Sequence, residues 1–355
     1  MNKTIRINEF EIGRDLPAYF IADIASNHDG DLERAKELIW IAKEAGADAA
    51  KFQHFEASKI VSAVGFENLK VGHQSSWEKS VFDVYKQYEC NRDWTAELVR
   101  TAKEAQIDFM TTPYDYEAIE LLEQYVPAFK IGSGDITWIS LIEKIAQYNK
   151  PILIATGASS LEDVDRAMEA IRPFNDQIVL MQCNTNYTGD LSNLKHVNLR
   201  VLQMYAQRYP DVILGLSDHT PGHATVLGAI AYGARVIEKH LTDSNDRIGP
   251  DHLFSMNPVT WREMVDRSRE LEAALGDGVK RIEDNELETS VVQRRCLRLK
   301  RDIAPGETIS QGDLEVLRPA PAGSLAPYQA SQVIGRKISV AKKQGEALYL
   351  TDVVI

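Results

Sequence analysis

Cysteine is scarce in this chain: Cys90, Cys183 and Cys296 are the only three in 355 residues. An odd count without metal-type spacing argues against a disulfide framework and against a thiolate zinc site, and reduced thiols fit best. Basic charge is also short, with 40 Lys and Arg against 52 Asp and Glu and a formal net charge of −12. That balance argues against nucleic acid or an anionic membrane as partner, and it requires any anionic substrate to be held by a few locally placed cations. Long apolar runs are missing too. The amino end, MNKTIRINEFEIGRD, lacks the core of a signal peptide, and no stretch approaches the roughly 18 apolar residues of a membrane span, so a cytoplasmic protein is expected. No Walker loop and no G-x-G-x-x-G follows a strand-like run, which removes the usual nucleotide sites.

The chain does have 44% hydrophobic residues, ample for a packed core. It also has a regular alternation. Strand-like runs at Tyr19–Asp23, Ala49–Gln53, Asp108–Thr111, Ala128–Ile131, Pro151–Ala155, Ile178–Gln182, Val212–Leu216 and Arg235–Lys239 are each followed by a helical pattern. The helices are expected at Leu32–Ala45 and Asp93–Ala105, and from near Tyr116, Ile139, Leu161, Asn193, Gly222 and Pro258. Eight such units spell an α/β fold, a (β/α)8 TIM barrel, with a doubly wound open sheet of the same count as the alternative. Residues 3–14, with Gly13 as a turn, read as a short hairpin closing the bottom. An insertion from Glu56 to Asn91, amphipathic around Trp77–Tyr88, reads as a substrate-side lid. The expected domains are a barrel over 1–280, a charged linker over 281–290, and a small β-rich domain over 291–355 punctuated by Pro and Gly. So small a domain suggests association with a partner surface.

On a barrel, chemistry gathers where strands end. His219 and His240 follow the seventh and eighth strands of one strand–helix–strand unit, so both emerge on the same rim. Asp218 and Glu238 stand beside them as candidate orienting carboxylates for a divalent ion. Lys51 and Gln53 alternate on the second strand and face the same way. Lys51 is costly in an apolar strand unless it meets an anion. Lys130 leads into Gly132-Ser133-Gly134-Asp135, whose glycines let backbone amides approach an oxyanion. Thr111-Thr112, Thr156 and Cys183-Asn184-Thr185-Asn186-Tyr187 add neutral hydrogen-bonding groups, while Asp29 and Gly30 read as a helix cap. Such a rim suits the joining of an anionic phosphoester to a hydroxylated carbonyl compound.

Taken together, IADIASNHDGDLERA, AGADAAKFQ, TTPYD, FKIGSGD, PILIATG, GLSDHT, VIEKH and GPDH with FSMNP resemble the sialic acid synthase family. The tail, CLRLKRDIAPGETISQGDLEVLRP with IGRKI and GEALYLTDV, resembles the antifreeze-like (SAF) domain attached to these enzymes. The resemblance implies metal-dependent condensation of phosphoenolpyruvate with an open-chain, N-acetylmannosamine-like aldose to a nine-carbon 2-keto-3-deoxy acid and phosphate. It implies His219 and His240 as ligands of manganese, magnesium or cobalt, and Lys51, Thr112, Lys130, Ser133, Asn184 and Ser217 around phosphoenolpyruvate. Gln53, Asp135, Tyr187 and Asp251 would face the sugar. Asp23, Lys51, Glu238 and His240 would do the chemistry, and Arg318 would reach the neighbouring subunit of a domain-swapped homodimer.

Where the family usually carries glutamate, Asp23 and Asp135 are each shorter by one methylene. Ala155 replaces a common serine, and CNTNY replaces a CTNxY-type loop. The phosphoenolpyruvate side is intact and the sugar side altered, so the reaction type is expected to hold while the acceptor departs from N-acetylmannosamine. Asp23 is expected near the distal end of the sugar, where it would oppose a 6-phosphorylated acceptor. Three readings compete with this one: a Schiff-base aldolase using Lys51 or Lys130, a synthase of seven- or eight-carbon keto acids, and a non-catalytic sugar-binding paralogue.

Overall fold

The computed structural model describes residues 3–67, 69, 74 and 77–354. Part of the expected lid, residues 68, 70–73, 75 and 76, lies outside them. The chain divides into two compact units, Met1–Gly276 and Asp277–Ile355.

In the first unit β1 (Thr4–Ile7) and β2 (Phe10–Gly13) form an antiparallel hairpin. Gly13 is not its turn, as it pairs with Thr4; the chain reverses at Asn8, which takes φ 47°, a conformation Asn tolerates better than most residues. Eight strands follow: β3 (Tyr19–Asp23), β4 (Ala49–His54), β5 (Asp108–Pro113), β6 (Phe129–Ile131), β7 (Ile152–Ala155), β8 (Ile178–Cys183), β9 (Ile213–Asp218) and β10 (Ala234–His240). They are bonded in the order β5-β4-β3-β10-β9-β8-β7-β6, every pair parallel. The end strands β5 and β6 pack side by side, so the sheet curls into a nearly closed barrel and the open-sheet alternative is set aside.

Period-2 alternation sorts the strand residues into two cores. One face turns inward, where Tyr19, Ile21, Ala49, Met110, Leu153, Val179, Ile213 and Val236 meet Ile5, Ile7 and Ile12 of the hairpin. The hairpin therefore plugs the amino-terminal end of the barrel. The other face meets the helices through Phe20, Ala22, Phe52, Ile154, Leu180 and Ile237, packed with Leu38, Ile142, Val226 and Trp261. Helix starts are set by polar caps: Asp31 for Leu32–Glu44, Ser160 for Leu161–Ile171, and Asn257 with Pro258 in the first turn for Pro258–Leu275. The expected cap at Asp29 and Gly30 is thus displaced to Asp31. The helix expected from Asn193 is a 3-10 stretch, Leu191–His196, and the α-helix begins only at Val201, after Asn198 turns to φ 51°.

In the second unit β11 (Cys296–Leu299) and β12 (Leu314–Leu317) pair antiparallel over a small core of Leu297, Leu299, Ile303, Ile309, Leu314, Val333, Ile338 and Leu348. The stretch expected as a linker belongs to this unit and holds a 3-10 turn, Asp284–Glu286, and a short helix, Leu287–Val292.

Candidate active site

Strand register brings the charged residues together. Asp23 lies level with Lys51 on one side and His240 on the other, because β3 sits between β4 and β10. Lys51 Nζ donates to Asp23 Oδ2 at 2.7 Å and stands 3.8 Å from Glu238 Oε2. Lys130 reaches Glu238 Oε1 at 3.3 Å, and Ser217, level with Glu238 across β9 and β10, donates to the same oxygen at 3.0 Å. All six side chains are buried. Glu238 Oε2 accepts no hydrogen bond among the described residues, so a carboxylate oxygen between two ammonium groups is left without a hydrogen-bond partner. Burial alone would lower the Lys51 pKa, but the Asp23 and Glu238 carboxylates outweigh it and hold the ammonium charged. Thr112 Oγ1 lies 3.4 Å from the same nitrogen, and Ser133 Oγ accepts from the Gly157 amide at 2.9 Å. Gly157 itself has no room for a side chain. A Cβ there would lie 1.9 Å from Thr185 Oγ1, 2.9 Å from Ser133 Oγ and 3.0 Å from Cys183 Sγ.

The rings of His219 and His240 converge, with centroids 5.3 Å apart, inside an aromatic surround of Tyr187 and Phe254. His219 Nδ1–H donates to the Asn184 carbonyl at 3.0 Å, which fixes its ring. His240 Nδ1 is buried without a hydrogen-bond partner, 3.9 Å from Asp251 Oδ2, while Nε2 stands 3.6 Å from Asp23 Oδ2. Burial pulls the His240 pKa down and keeps the imidazole neutral. A neutral ring with an uncommitted buried nitrogen, facing a second imidazole and two carboxylates, fits a divalent cation. Among the described residues no group of three or more His, Cys, Asp or Glu is already arranged to hold one.

Two expectations are corrected. Asp218 does not orient His219: alternation turns Asp218 and its level neighbour Lys239 to the helix side, where Lys239 Nζ donates to Asp218 Oδ2 at 2.5 Å and Thr220 and Thr225 donate to the same carboxylate. Asp23, expected near the distal end of a sugar, is instead turned to the buried Lys51. Its short side chain is tied down by Lys51, by Gln53 Nε2 at 3.0 Å and by the Ala25 amide, and it does not line the open cavity.

That cavity, ≈ 460 Å³, opens above His240 and is lined by Gln53, Ser133, Asp135, Tyr187 and Asp251. Ser26 N–H holds the Asp251 carboxylate at 3.1 Å. Asp29, mistaken for a cap, instead pairs with His252 Nε2 at 3.0 Å and with Arg34, pinning the GPDH turn that carries Asp251. Arg318 belongs to the second unit, where it is exposed. Trp77, Tyr85 and Tyr88 of the insertion expected on the substrate side line the cavity, and sequence reasoning missed that Phe55 and Tyr114 join them in an aromatic wall. Tyr114 stands in TTPYD at a strand end, and Tyr85 and Tyr88 share a face three residues apart on the insertion's helix Val81–Tyr88, signals that were available.

The NeuB family model matches residues 38–280 and the SAF domain model residues 294–354. An N,N'-diacetyllegionaminic acid synthase of Legionella pneumophila is 35% identical over 95% of this chain and 94% of its own. The human N-acetylneuraminate-9-phosphate synthase is 32% identical over 95% of this chain and 93% of its own. Among solved structures, an N-acetylneuraminic acid synthetase of Leptospira borgpetersenii in complex with citrate is similar with a TM-score of 0.72 and 26% identity, over 81% of this chain and 95% of that one.

Proposed function

The chain belongs to the NeuB family, and on that premise we propose that it condenses phosphoenolpyruvate with an open-chain hexosamine-type aldose to give a nine-carbon 2-keto-3-deoxy acid and phosphate. The observation that carries this reading is the pair of buried ammonium groups, Lys51 and Lys130, converging on Glu238 beside two facing imidazoles. Relatives named as sialic, legionaminic and pseudaminic acid synthases support it. Lys51 and Lys130, with Thr112, Ser133, Asn184 and Ser217 around them, bind the phosphate and carboxylate of phosphoenolpyruvate. Gln53, Tyr187, Asp135 and Asp251 orient the aldose. A divalent ion, manganese, magnesium or cobalt, held by His219 and His240 would supply Lewis-acid polarisation of the aldehyde carbonyl.

The C2–C3 π electrons of phosphoenolpyruvate form the new bond from C3 to the aldehyde carbon, whose oxygen takes a proton. Water adds at C2, and the C2–O bond breaks to release phosphate. Glu238, between the lysines and within hydrogen-bond reach of Ser217, is the group placed to take the proton of that water. Asp23 holds Lys51 in place and charged. Phosphate release with a panel of hexosamine acceptors, with product masses read by mass spectrometry, tests the reading. A product of aldose plus pyruvate mass is expected, and no release with any acceptor and any of the three metals would sink it in favour of a non-catalytic paralogue.

The active assembly is a domain-swapped homodimer in which Arg318 serves the partner's site. Mixing Arg318→Ala and His240→Ala chains is expected to restore part of the activity each lacks. Mixed dimers without rescue would refute action in trans.

A further inference from the structure

The barrel has a second cavity, at the end away from the candidate active site. It lies where β9 and β10 begin and is lined by Arg14, Tyr209, Val212, Leu214, Tyr232 and Arg235. Arg14 follows the hairpin strand β2, Tyr209 and Tyr232 end the helices Val201–Arg208 and Ala224–Ala231, and Arg235 is the second residue of β10. At ≈ 90 Å³ the cavity matches the liquid volume of about three waters, which suits a small ion and is too little for a hexose.

A chain of net charge −12 places two guanidinium groups here. Arg235 Nη1 donates to the Ala234 carbonyl at 2.7 Å and to the Ile230 carbonyl, in the last turn of the helix Ala224–Ala231, at 3.2 Å. The rest of its fork is uncommitted. Nε is shielded from solvent and donates to nothing, and Nη2 has no hydrogen-bond or ion-pair partner among the described residues. Arg14 is exposed, and its guanidinium likewise has no such partner among the described residues. Two carboxylates, Glu272 and Asp15, act on Arg235 from a distance, but neither forms an ion pair with it or lines the cavity. Glu272 is spent on the Ala18 amide and on Arg269. Burial pushes the Arg235 pKa down, Arg14 adds to that, and the two carboxylates do not offset it.

A half-buried positive charge with unmet donors is costly unless an anion meets it. The free edge of the fork, Nε–H and Nη2–H, offers two parallel bonds in one plane. A carboxylate or the paired oxygens of a phosphate match that edge, and a halide does not. The walls formed by Val212, Leu214 and the Tyr209 ring are apolar, and Arg172 and Arg208 flank that ring with guanidinium carbons 5.5 and 5.8 Å from its centroid. Apolar walls keep water back and strengthen the charge pair. We propose that this cavity binds a small oxyanion, a carboxylate or a phosphate monoester head, side-on to Arg235 Nε and Nη2 with Arg14 as its second cation. The site is separate from the one assigned to phosphoenolpyruvate and does not rest on the synthase reading.

The Nε–H resonances of the full chain made with isotope-labelled arginine test this, because no arginine stands among the residues placed around phosphoenolpyruvate. The Arg235 line is the one missing from Arg235→Lys or, should that variant fail to fold, the one correlated through bonds with the Arg235 backbone amide. The chain is titrated with inorganic phosphate and separately with acetate, ionic strength being held constant with chloride. A saturable shift of the Arg235 line is expected; a response to phosphate alone identifies a phosphate head, and a response to acetate a carboxylate. Arg14→Gln breaks no contact among the described residues and should raise the apparent Kd about threefold, the worth of one solvated charge pair. No saturable shift with either anion, the same shift with chloride alone, or an unchanged Kd in Arg14→Gln would overturn the proposal and leave the cavity to water.

Discussion

The two ends of the barrel hold their carboxylates by different means. At the amino-terminal end Asp108 accepts from the Tyr19 hydroxyl and the Asn8 amide, each at 2.6 Å, and Asp48 accepts from the Phe20 amide at 2.8 Å. Neutral donors satisfy them while the hairpin's isoleucines seal the interior. At the carboxyl-terminal end Asp23 and Glu238 face ammonium groups and imidazoles, and Glu238 Oε2 and His240 Nδ1 are left without hydrogen-bond partners. One end is closed and its carboxylates are satisfied. The other stores unmet polar capacity, which is what a ligand exploits.

The contrast breaks most sharply if activity and stability cannot be separated by end. His240→Ala is expected to lower turnover by about 10³-fold or more, the scale set by losing electrostatic stabilisation of the reacting carbonyl. Its thermal midpoint should change little. Activity surviving in this variant, measured with metal in excess, would dissolve the distinction. Ile7→Ala at the other end should cost about 2–5 kcal/mol of stability by opening a cavity in the plug, with kcat unchanged in the fraction that stays folded. Denaturant unfolding monitored alongside activity checks both halves.

The smallest expected effect sharpens the account of the closed end. Burial raises the Asp48 pKa from 3.8 to about 6, so the folded state favours its protonated form. The stability this lends is complete below about pH 4 and is lost as pH rises through about 6. Asp48→Asn should flatten that part of the stability profile and leave the chain no less stable at pH 7. A steeper decline in the variant would contradict the assignment.

Much of this was legible in the sequence, and the misses have physical causes. Strand–helix alternation determines a barrel, and the rim position of His219 and His240 follows from two parallel strands joined by one helix. The same period-2 rule that turns Glu238 and His240 inward turns Lys239 outward, and with it Asp218. Applying it there would have shown that these two pair with each other. Asp23 was misplaced because a sequence reveals which strand a residue ends but not which neighbours face it. The register that sets Asp23 between Lys51 and His240 is a property of the closed sheet. The aromatic side of the cavity was hardest to see, since it is assembled from an insertion whose rings gain meaning only against Phe55 and Tyr114.

Gly157 bears on any attempt to retarget the enzyme. At that position a single hydrogen separates Ser133 from the loop whose Asn184 carbonyl holds His219. Even alanine would force Thr185 and Ser133 apart. Mutagenesis libraries aimed at new sugars should start from the aromatic residues that line the cavity and leave this point alone.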